Sequence, residues 1–313
     1  MIQMNKKFVP VMLMPFQDDE TIDYSTLGAL VDRYLAAGAG GLFANCLSSE
    51  MFELSKEEML ESVSFIVDRV SGRVPVVATG TFEDTIENQA KFVTEMYATG
   101  VDSVIVITGL LAKEEDNDEI FQTNVEQLLA LTGDIPLGFY ECPVPYKRVL
   151  SAEFLGKLAA TGRIKYHKDT SLDIDSIHAK IAATRDVDIF GLYDAYMVHA
   201  VETLQAGSAG LSCIQGNYFP EMIVWLCAHY DDRSQKDKVD KVQQFLIDHM
   251  DVMHYAYPAS AKYFLQLSGF KISTTCRRKD IEDIDVKVHQ RLGELFQNYE
   301  QLARDVNFSQ INK

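Results

Sequence analysis

Basic residues are scarce in this sequence. It has 29 lysines and arginines against 46 aspartates and glutamates, which gives a formal net charge of −17. A surface this acidic repels the phosphates of nucleic acid and an anionic membrane, so neither is expected as a partner. It also repels an anionic small molecule at long range. Any carboxylate site must therefore rest on local donors, such as helix N-termini or single cations.

Paired cysteines and long apolar runs are missing too. The five cysteines show no CxxC spacing, and an odd number at irregular positions predicts free thiols in a reducing cytoplasm. No apolar run is long enough to cross a bilayer. The N-terminal run FVPVMLMPF contains prolines and precedes the acidic QDDE, so it predicts a first strand and not a signal peptide. We therefore expect a cytoplasmic protein that binds no membrane.

Two common site motifs are absent as well. The seven histidines show neither HxH nor HExxH, and His249 and His254 are five residues apart, which does not align them on one helix face. No GxGxxG follows the first predicted strand, which disfavours a doubly wound, dinucleotide-binding sheet. The sequence therefore predicts no metal site.

What is present is a regular alternation of short apolar runs with helix-length amphipathic segments. The runs are rich in Val and Ile and mostly lack polar alternation, which is typical of strands buried on both faces. Eight such units fit about the first 230 residues, so the sequence predicts an α/β fold, a closed (β/α)8 or TIM barrel. The predicted strands are 8–13, 41–44, 74–79, 103–108, 136–141, 163–168, 187–192 and 209–214.

The last quarter of the chain carries helical periodicity and no convincing strand. No linker rich in Pro, Gly or Ser separates it from the preceding units. We therefore expect a barrel at residues 1–230 and, at residues 231–313, a C-terminal helical extension packed on that barrel.

The stretch RIKYHKDTS holds two lysines near the end of the sixth predicted strand. Side chains alternate along a strand, so Lys168 and Tyr166 point one way and Lys165 and His167 the other. Reactive groups of such barrels stand at C-terminal strand ends, which makes Lys168 the candidate for the top of the bore. Burial there would lower its pKa and leave a neutral amine able to form a Schiff base. The alternative is an ordinary lysine that reaches solvent, and position alone favours that alternative.

Tyr140 ends the preceding predicted strand, one strand–helix unit before Lys168. The two strand ends should be neighbours, and a phenol beside an imine can move protons to and from the substrate oxygen. Taken alone, Tyr140 would more often be a packed aromatic residue. It is the conjunction of the two residues that favours chemistry.

Three cysteines also fall at predicted strand ends on this face: Cys46, Cys142 and Cys213. A thiol site is conceivable there, but His167 points away from Lys168 by the alternation of the strand. Free cysteines are commonly buried and inert, so small apolar fillers are the favoured interpretation.

These motifs resemble the dihydrodipicolinate synthase and N-acetylneuraminate lyase family of Schiff-base barrels, over nearly the whole chain and in the same order. YHKDTS resembles the strand-six lysine motif of the family, which selects Lys168. FYECP is similar to its strand-five Tyr-x-x-Pro motif, which selects Tyr140. AGSAGLSCIQGNYFPE resembles its strand-eight Gly-x-x-Ser stretch and brings in Ser212, Cys213 and Asn217.

The chain also departs from the pattern of the family it resembles. The family binds a keto-acid carboxylate with a Gly-Thr-Thr-Gly-Glu or Gly-Ser-Thr-Gly-Glu loop, and this chain has CLSSE at 46–50. Ser48 and Ser49 keep hydroxyl groups there, but Leu47 replaces a hydroxyl residue of the proton relay. Leu111 falls near the place of a tyrosine that enters a neighbouring subunit, and Pro145 replaces a carboxylate-binding arginine. These departures disfavour dihydrodipicolinate synthesis itself.

The resemblance implies a class I lyase or aldolase that forms a lysine Schiff base with pyruvate or another 2-keto acid. Lys168 would form the imine and Tyr140 would shuttle a proton. Substrate-binding groups would come from Ser48, Ser49, Ser212 and Cys213. The imine serves as the electron sink, so no cofactor or metal is implied, and a homo-oligomer, a tetramer or dimer, is expected. Two alternatives stay open: a dehydratase or hydratase-aldolase that uses the same imine, and a non-catalytic keto-acid-binding barrel.

Overall fold

The structure, a computed structural model, describes residues 6–279 and 284–308, and it contains one sheet of eight parallel strands. The strands are β1 Lys7–Phe8, β2 Leu42–Ala44, β3 Val76–Thr79, β4 Ser103–Ile107, β5 Leu137–Tyr140, β6 Ile164–Asp169, β7 Gly191–Asp194 and β8 Gly210–Leu211. From β2 to β8 each strand pairs with the next, and β8 pairs back with β1. A parallel bridge between Val11 and Phe43 closes the ring between β1 and β2. The predicted (β/α)8 barrel is confirmed.

Eight helices follow the strands in turn. They are α1 Tyr24–Ala36, α2 Lys56–Val70, α3 Ile86–Ala98, α4 Asp118–Leu131, α5 Ala152–Ala160, α6 Ile174–Thr184, α7 Ala200–Ala206 and α8 Pro220–His229. Helix α2 begins at a capping box, in which Glu58 N donates to Ser55 Oγ at 3.2 Å and Ser55 N donates to Glu58 Oε2 at 2.9 Å. These bonds satisfy two N–H groups that the helix cannot pair internally, so they fix where the loop after β2 ends.

Four further helices follow the barrel: α9 Lys236–Asp248, α10 Met250–His254, α11 Ala259–Leu267 and α12 Val286–Val306. Aromatic contacts join them to α8. The ring of Phe219, just before α8, lies 5.1 Å from the ring of Phe264 in α11 and 4.7 Å from that of Tyr299 in α12. Part of the predicted last helix, residues 280–283, lies outside the described residues. None of the described helices is both long and apolar enough to span a membrane.

Strand boundaries are where the sequence-based prediction is weakest. The predicted seventh strand at 187–192 is wrong at both ends, because β7 spans Gly191–Asp194. Its early apolar residues belong to the turn after α6, where Val187 N donates to Thr184 O and Ile189 is 52% exposed. The sixth strand runs one residue further than predicted, to Asp169.

Two apolar layers separate the inside of the barrel from its outside. The bore is filled by side chains that include Val9, Phe43, Ile105, Tyr140 and Tyr166. The larger layer packs the outer face of the strands against the helices. Tyr166 lies in the bore, so the predicted alternation along β6 is confirmed and Lys168 points the same way.

Candidate active site

The amine of Lys168 lies beside the ring of Tyr140 at the C-terminal end of the barrel. The two residues are directly opposite each other in the pairing of β5 with β6. Lys168 Nζ lies 4.2 Å from the centroid of the Tyr140 ring and 5.9 Å from that of Phe43. The other lysine of the stretch, Lys165, donates instead to the carbonyl of Gly162 at 2.9 Å, below the site. The geometry therefore distinguishes the two lysines in the way that the alternation predicts.

Lys168 is buried in surroundings that favour its neutral form. The side chain is 4% exposed, and no carboxylate is paired with it among residues 6–279 and 284–308. Burial lowers the pKa of Lys168, because removal from water disfavours the ammonium. The thiols of Cys46, Cys142 and Cys213 oppose this effect without cancelling it. The neutral amine is the nucleophilic form of lysine.

Tyr140 keeps its proton over a wide pH range. Burial, with a further contribution from the Cys142 thiol, raises the pKa of Tyr140 well above its usual value. The ring is held by an edge-on contact with Phe43, at 5.8 Å between centroids. A neutral phenol fixed beside an amine is suited to donate a proton to a substrate oxygen and to take it back.

A cavity of about 430 Å³ opens above these two residues. Its walls come from the loops after β2, β5, β6, β7 and β8 and from the C-terminal segment. The lining includes Leu47, Ser48, Lys147, Thr170, Leu172, Tyr196, Ile214, His254, Tyr257 and Arg278. Among the described residues that line it, none is acidic, although the chain carries a large excess of negative charge.

The loop after β2 brings only one of its two predicted serines to the cavity. Leu47–Ser49 form a 3-10 turn in which the Ser48 side chain lines the cavity. The Ser49 hydroxyl makes its hydrogen bonds within the turn: Ser49 Oγ accepts from Cys46 N at 2.6 Å and donates to Cys46 O at 2.8 Å. Next to the turn, the buried Glu50 pairs with Lys262 of α11 at 3.0 Å. The loop is therefore held from the C-terminal helices.

The predicted strand-eight residues also lie outside the cavity. Ser212 Oγ accepts from Tyr166 OH at 2.8 Å and donates to Val9 O at 2.8 Å, so its hydroxyl joins strands inside the bore. Cys213 is fully buried, and burial raises the pKa of its thiol to about 12. Neither residue lines the cavity, although Ile214, at the start of the 3-10 turn Ile214–Asn217, does.

Two basic residues follow the strand-five motif, and Lys147, not Arg148, is the one that lines the cavity. Arg148 is committed elsewhere: it contacts Asp118 at 3.0 Å and donates to the carbonyls of Lys113 and Asp116. Lys147 lines the cavity, with its Nζ donating to Thr170 O at 2.7 Å. The sequence does not distinguish the two, because they are adjacent.

Sequence reasoning missed Tyr257, which lines the cavity from the turn between α10 and α11. Its hydroxyl donates to Ser48 Oγ at 2.7 Å, across 209 residues of chain. A tyrosine before a helix gives no signal of such a contact. The resemblance that selects residues on the strand ends contains no motif that includes it.

Four ionisable side chains lie fully buried on the outer side of β5 and β6; we call them the buried quartet: Glu141, His167, Asp169 and Lys180. Lys180 Nζ of α6 donates to Glu141 Oε1 and to Asp169 Oδ2, each at 2.6 Å. His167 Nε2 lies 3.4 Å from Glu141 and 3.7 Å from Asp169. Glu141 directly follows Tyr140, and Asp169 directly follows Lys168. One ammonium group thus joins the residues next to both reactive side chains.

The charges of the buried quartet balance when His167 is protonated. Burial alone would lower the pKa of His167, but Glu141 and Asp169 outweigh burial and raise it. Burial alone would likewise raise the pKa of Asp169, but His167 and Lys180 hold it well below its usual range. Two carboxylates, one ammonium and one imidazolium sum to zero. In the described chain neither ring nitrogen of His167 makes a hydrogen bond, so the Lys180 ammonium is the group that bonds to both carboxylates.

Three members of the buried quartet, Glu141, His167 and Asp169, are also close enough together to share a metal ion. Lys180 Nζ, however, lies within hydrogen-bonding distance of both carboxylates. The ammonium therefore supplies the positive charge that a metal ion would bring to these ligands. The sequence analysis did not find this cluster, because its fourth member comes from the following helix.

Comparisons with known proteins point to one family. A model described as the dihydrodipicolinate synthetase family matches residues 4–297. A 4-hydroxy-tetrahydrodipicolinate synthase of Hyphomonas neptunium is 26% identical over 264 residues, covering 83% of this chain and 87% of that protein. An uncharacterized DapA-like lyase of Halobacterium salinarum is 26% identical over 268 residues, covering 84% of each chain.

The fold is also that of solved structures. The prophage protein YagE of E. coli K12, of the dihydrodipicolinic acid synthase family and solved in complex with pyruvate, superposes with a TM-score of 0.82. It is 22% identical, and the match covers 95% of this chain and 98% of that one. A dihydrodipicolinate synthase of Thermotoga maritima superposes with a TM-score of 0.83 at 21% identity, covering 95% and 99%.

Proposed function

Because the chain belongs to the dihydrodipicolinate synthetase family, we propose that it is a class I lyase or aldolase that joins Lys168 to pyruvate or another 2-keto acid as a Schiff base. One observation carries the assignment of Lys168. Its amine lies buried, without a charged partner in the described chain, 4.2 Å from the ring centroid of Tyr140. A structural lysine at a strand end would reach water or a carboxylate.

The proposed chemistry begins with attack of the Lys168 amine on the keto carbon. Tyr140 donates a proton to the carbinolamine oxygen, which leaves as water and gives the imine. The protonated imine then accepts the electrons of the bond that breaks next to it, or stabilises the carbon nucleophile that forms a new bond. Ser48 donates to the carboxylate of the keto acid at the base of the cavity.

The charge of the cavity supports an anionic substrate. Lys147, His254 and Arg278 lie in its wall, and no acidic residue does in the described part of the chain. In a chain of net charge −17 the ammonium of Lys147 and the guanidinium of Arg278 supply locally an attraction that the whole surface lacks. Pro145 stands where the synthases of the family place a carboxylate-binding arginine. We therefore propose a second substrate other than that of dihydrodipicolinate synthesis.

Reductive trapping tests this function. The protein is incubated separately with pyruvate and with each of a panel of other 2-keto acids, and it is then reduced with borohydride and digested. The mass of the peptide that contains Lys168 is measured by mass spectrometry. A reduced adduct on that peptide supports the proposal, and product analysis then separates carbon–carbon cleavage from dehydration. A chain that folds and traps none of these acids would instead support the non-catalytic keto-acid-binding barrel.

The rate of imine formation should rise with pH and level off below the usual lysine pKa of about 10.4. Burial lowers the pKa of Lys168, so the reactive neutral amine persists at lower pH than in a free lysine, and acid converts it to the inert ammonium. The measurement is the initial rate of adduct formation, quenched with borohydride at each pH. A profile whose inflection lies at or above the free-lysine value would contradict a dry site.

Tyr140→Phe should slow imine formation by about 10²- to 10³-fold, because it removes the proton donor and keeps the ring. The edge-on contact with Phe43 needs only the ring, so the melting temperature should change little. Tyr97→Phe, on the exposed side of α3, is a matched control for loss of a phenol hydroxyl. If Tyr140→Phe forms the imine at the wild-type rate, the proposed proton transfer is wrong.

We also propose a cytoplasmic homo-oligomer. Five free cysteines support a reducing compartment. The family resemblance supports assembly into a dimer or tetramer, which light scattering at several protein concentrations would measure.

A further inference from the structure

Four polar side chains from distant segments form one continuous hydrogen-bonded chain that ends at the cavity; we call it the Ser48 chain. Tyr34 OH of α1 donates to Asn217 Oδ1 at 2.6 Å. Asn217 Nδ2 donates to Tyr257 OH at 2.6 Å, and Tyr257 OH donates to Ser48 Oγ at 2.7 Å. Tyr34, Asn217 and Ser48 are each at most 3% exposed. Hydrogen bonds between groups this deeply buried are stronger than in water, because the protein interior has a low dielectric constant.

The direction of every bond in the Ser48 chain follows from one backbone carbonyl. Val11 O can only accept, and it lies 2.9 Å from Asn217 Nδ2, which fixes the orientation of the amide. Asn217 Nδ2 then donates its second proton to the Tyr257 oxygen, and Tyr257 OH donates its own proton to Ser48 Oγ. Ser48 is thereby an acceptor toward the protein. The Tyr257 bond is the one that Ser48 Oγ makes among residues 6–279 and 284–308, so its own proton has no acceptor there, and Ser48 lines the cavity.

We propose that Asn217 and Tyr257 are positioning residues, which turn the Ser48 hydroxyl proton into the cavity so that it donates to the carboxylate of the substrate. The inference rests on the function proposed above. It adds that the orientation of the Ser48 hydroxyl makes the site select a substrate with a carboxylate over a neutral ketone. Without Tyr257 the Ser48 hydroxyl is free to rotate. The substrate carboxylate then has to fix its orientation on binding, and this loss of rotational freedom weakens the charge-assisted hydrogen bond between them.

This role differs from mere support of the loop after β2. Support would act equally on every carbonyl compound that reaches Lys168, since all of them need the same amine. A directed proton acts only on compounds whose group at that position accepts a hydrogen bond strongly. Pyruvate carries a carboxylate there, and hydroxyacetone, a neutral ketone of similar size, does not. The pair of compounds separates the two roles.

Tyr257→Phe should raise the pyruvate concentration that gives half-maximal imine formation by about tenfold, which is within the range for a hydrogen bond to a charged group. The limiting rate at saturating pyruvate should stay close to that of the wild type, because Lys168 and Tyr140 are unchanged. The half-saturating concentration of hydroxyacetone should change by less than about twofold. Both quantities come from the same reductive-trapping assay.

A double-mutant cycle tests whether Tyr257 acts through Ser48. In a Ser48→Ala background, Tyr257→Phe should cause no further loss of pyruvate affinity, because the group that it orients is gone. Asn217→Asp gives a second route should the phenylalanine variant fold poorly. An ionised aspartate can only accept, so Tyr257 donates to it and Ser48 donates to Tyr257, while the Tyr34 bond keeps its direction and Val11 O loses its donor. The Ser48 proton is then bonded to Tyr257, which should also reduce the preference for pyruvate.

Three results would count against these proposals in different ways. If Tyr257→Phe weakens pyruvate and hydroxyacetone equally, or if its effect is undiminished in the Ser48→Ala background, the inference is overturned while the Schiff-base function stands. If the wild-type protein traps neither hydroxyacetone nor any 2-keto acid of the panel, the proposed function is overturned and the inference with it.

Discussion

The Lys168→Met protein is expected to form no reduced adduct with pyruvate or with any other 2-keto acid. Methionine fills a similar volume without an amine, so the step that creates the imine cannot occur. Turnover should fall by about 10⁴-fold or more, as is found for other enzymes that lose their nucleophile. The assay is the mass of the peptide around position 168 after reduction, together with product formation from the best acid of the panel.

The fold should survive that substitution. The Lys168 side chain is buried without an ion pair in the described chain, so an apolar side chain should be accommodated there with little loss of stability. Lys165→Met is the matched control, since Lys165 lies three residues earlier and donates to Gly162 O away from the cavity. It should trap pyruvate as the wild type does. An adduct that persists in Lys168→Met, on Lys165 or elsewhere, would show that the imine assignment is wrong.

Lys180→Met is expected to lower the free energy of unfolding by about 3–5 kcal/mol, the usual cost of removing one partner from a buried ion pair. The variant leaves the carboxylates of Glu141 and Asp169 buried without their ammonium. The loss should shrink as the pH falls, because Lys180 helps to hold the pKa of Asp169 below its usual range, and protonation of Asp169 removes a charge that the ammonium would otherwise pair. Urea unfolding at neutral and acidic pH measures both effects.

Two controls locate the cause of that loss. Lys236→Met removes an exposed ion pair with Asp240 on α9 and should cost less than about 1 kcal/mol. The triple variant Glu141→Gln, Asp169→Asn, Lys180→Met removes both carboxylates and the ammonium, after which burial favours a neutral His167, and it should recover much of the lost stability. A Lys180→Met protein as stable as the wild type at neutral pH would mean that the carboxylates do not need their cation.

The buried quartet also ties down the loops around the cavity. Glu141 accepts from the backbone N–H of Leu150 at 2.9 Å and of Thr170 at 3.2 Å, and Asp169 accepts from Ser171 N at 2.8 Å. The segments after β5 and β6 therefore depend on the same two carboxylates. Substitutions in the buried quartet should be scored for imine formation as well as for stability.

The sequence by itself determined the barrel and its two central residues. Strand and helix periodicities are local, and eight repeats of them leave few other closed arrangements. The alternation along β6 is also local, so the sequence alone predicts that the side chains of Lys168 and Lys165 point to opposite faces of the strand. The order of the motifs in the chain placed Tyr140 on the neighbouring strand, and the pairing of Tyr140 with Lys168 confirms that placement.

Only the tertiary structure decided which polar groups face the substrate. Ser49 and Ser212 have the right chemistry, but their hydroxyls are occupied inside the protein, and no local pattern reveals that. Tyr257 reaches Ser48 across 209 residues, and Lys180 comes from a helix whose rotation is set by packing. The physical reason is that a hydrogen-bond direction depends on every partner around it, and those partners meet only when the chain is folded.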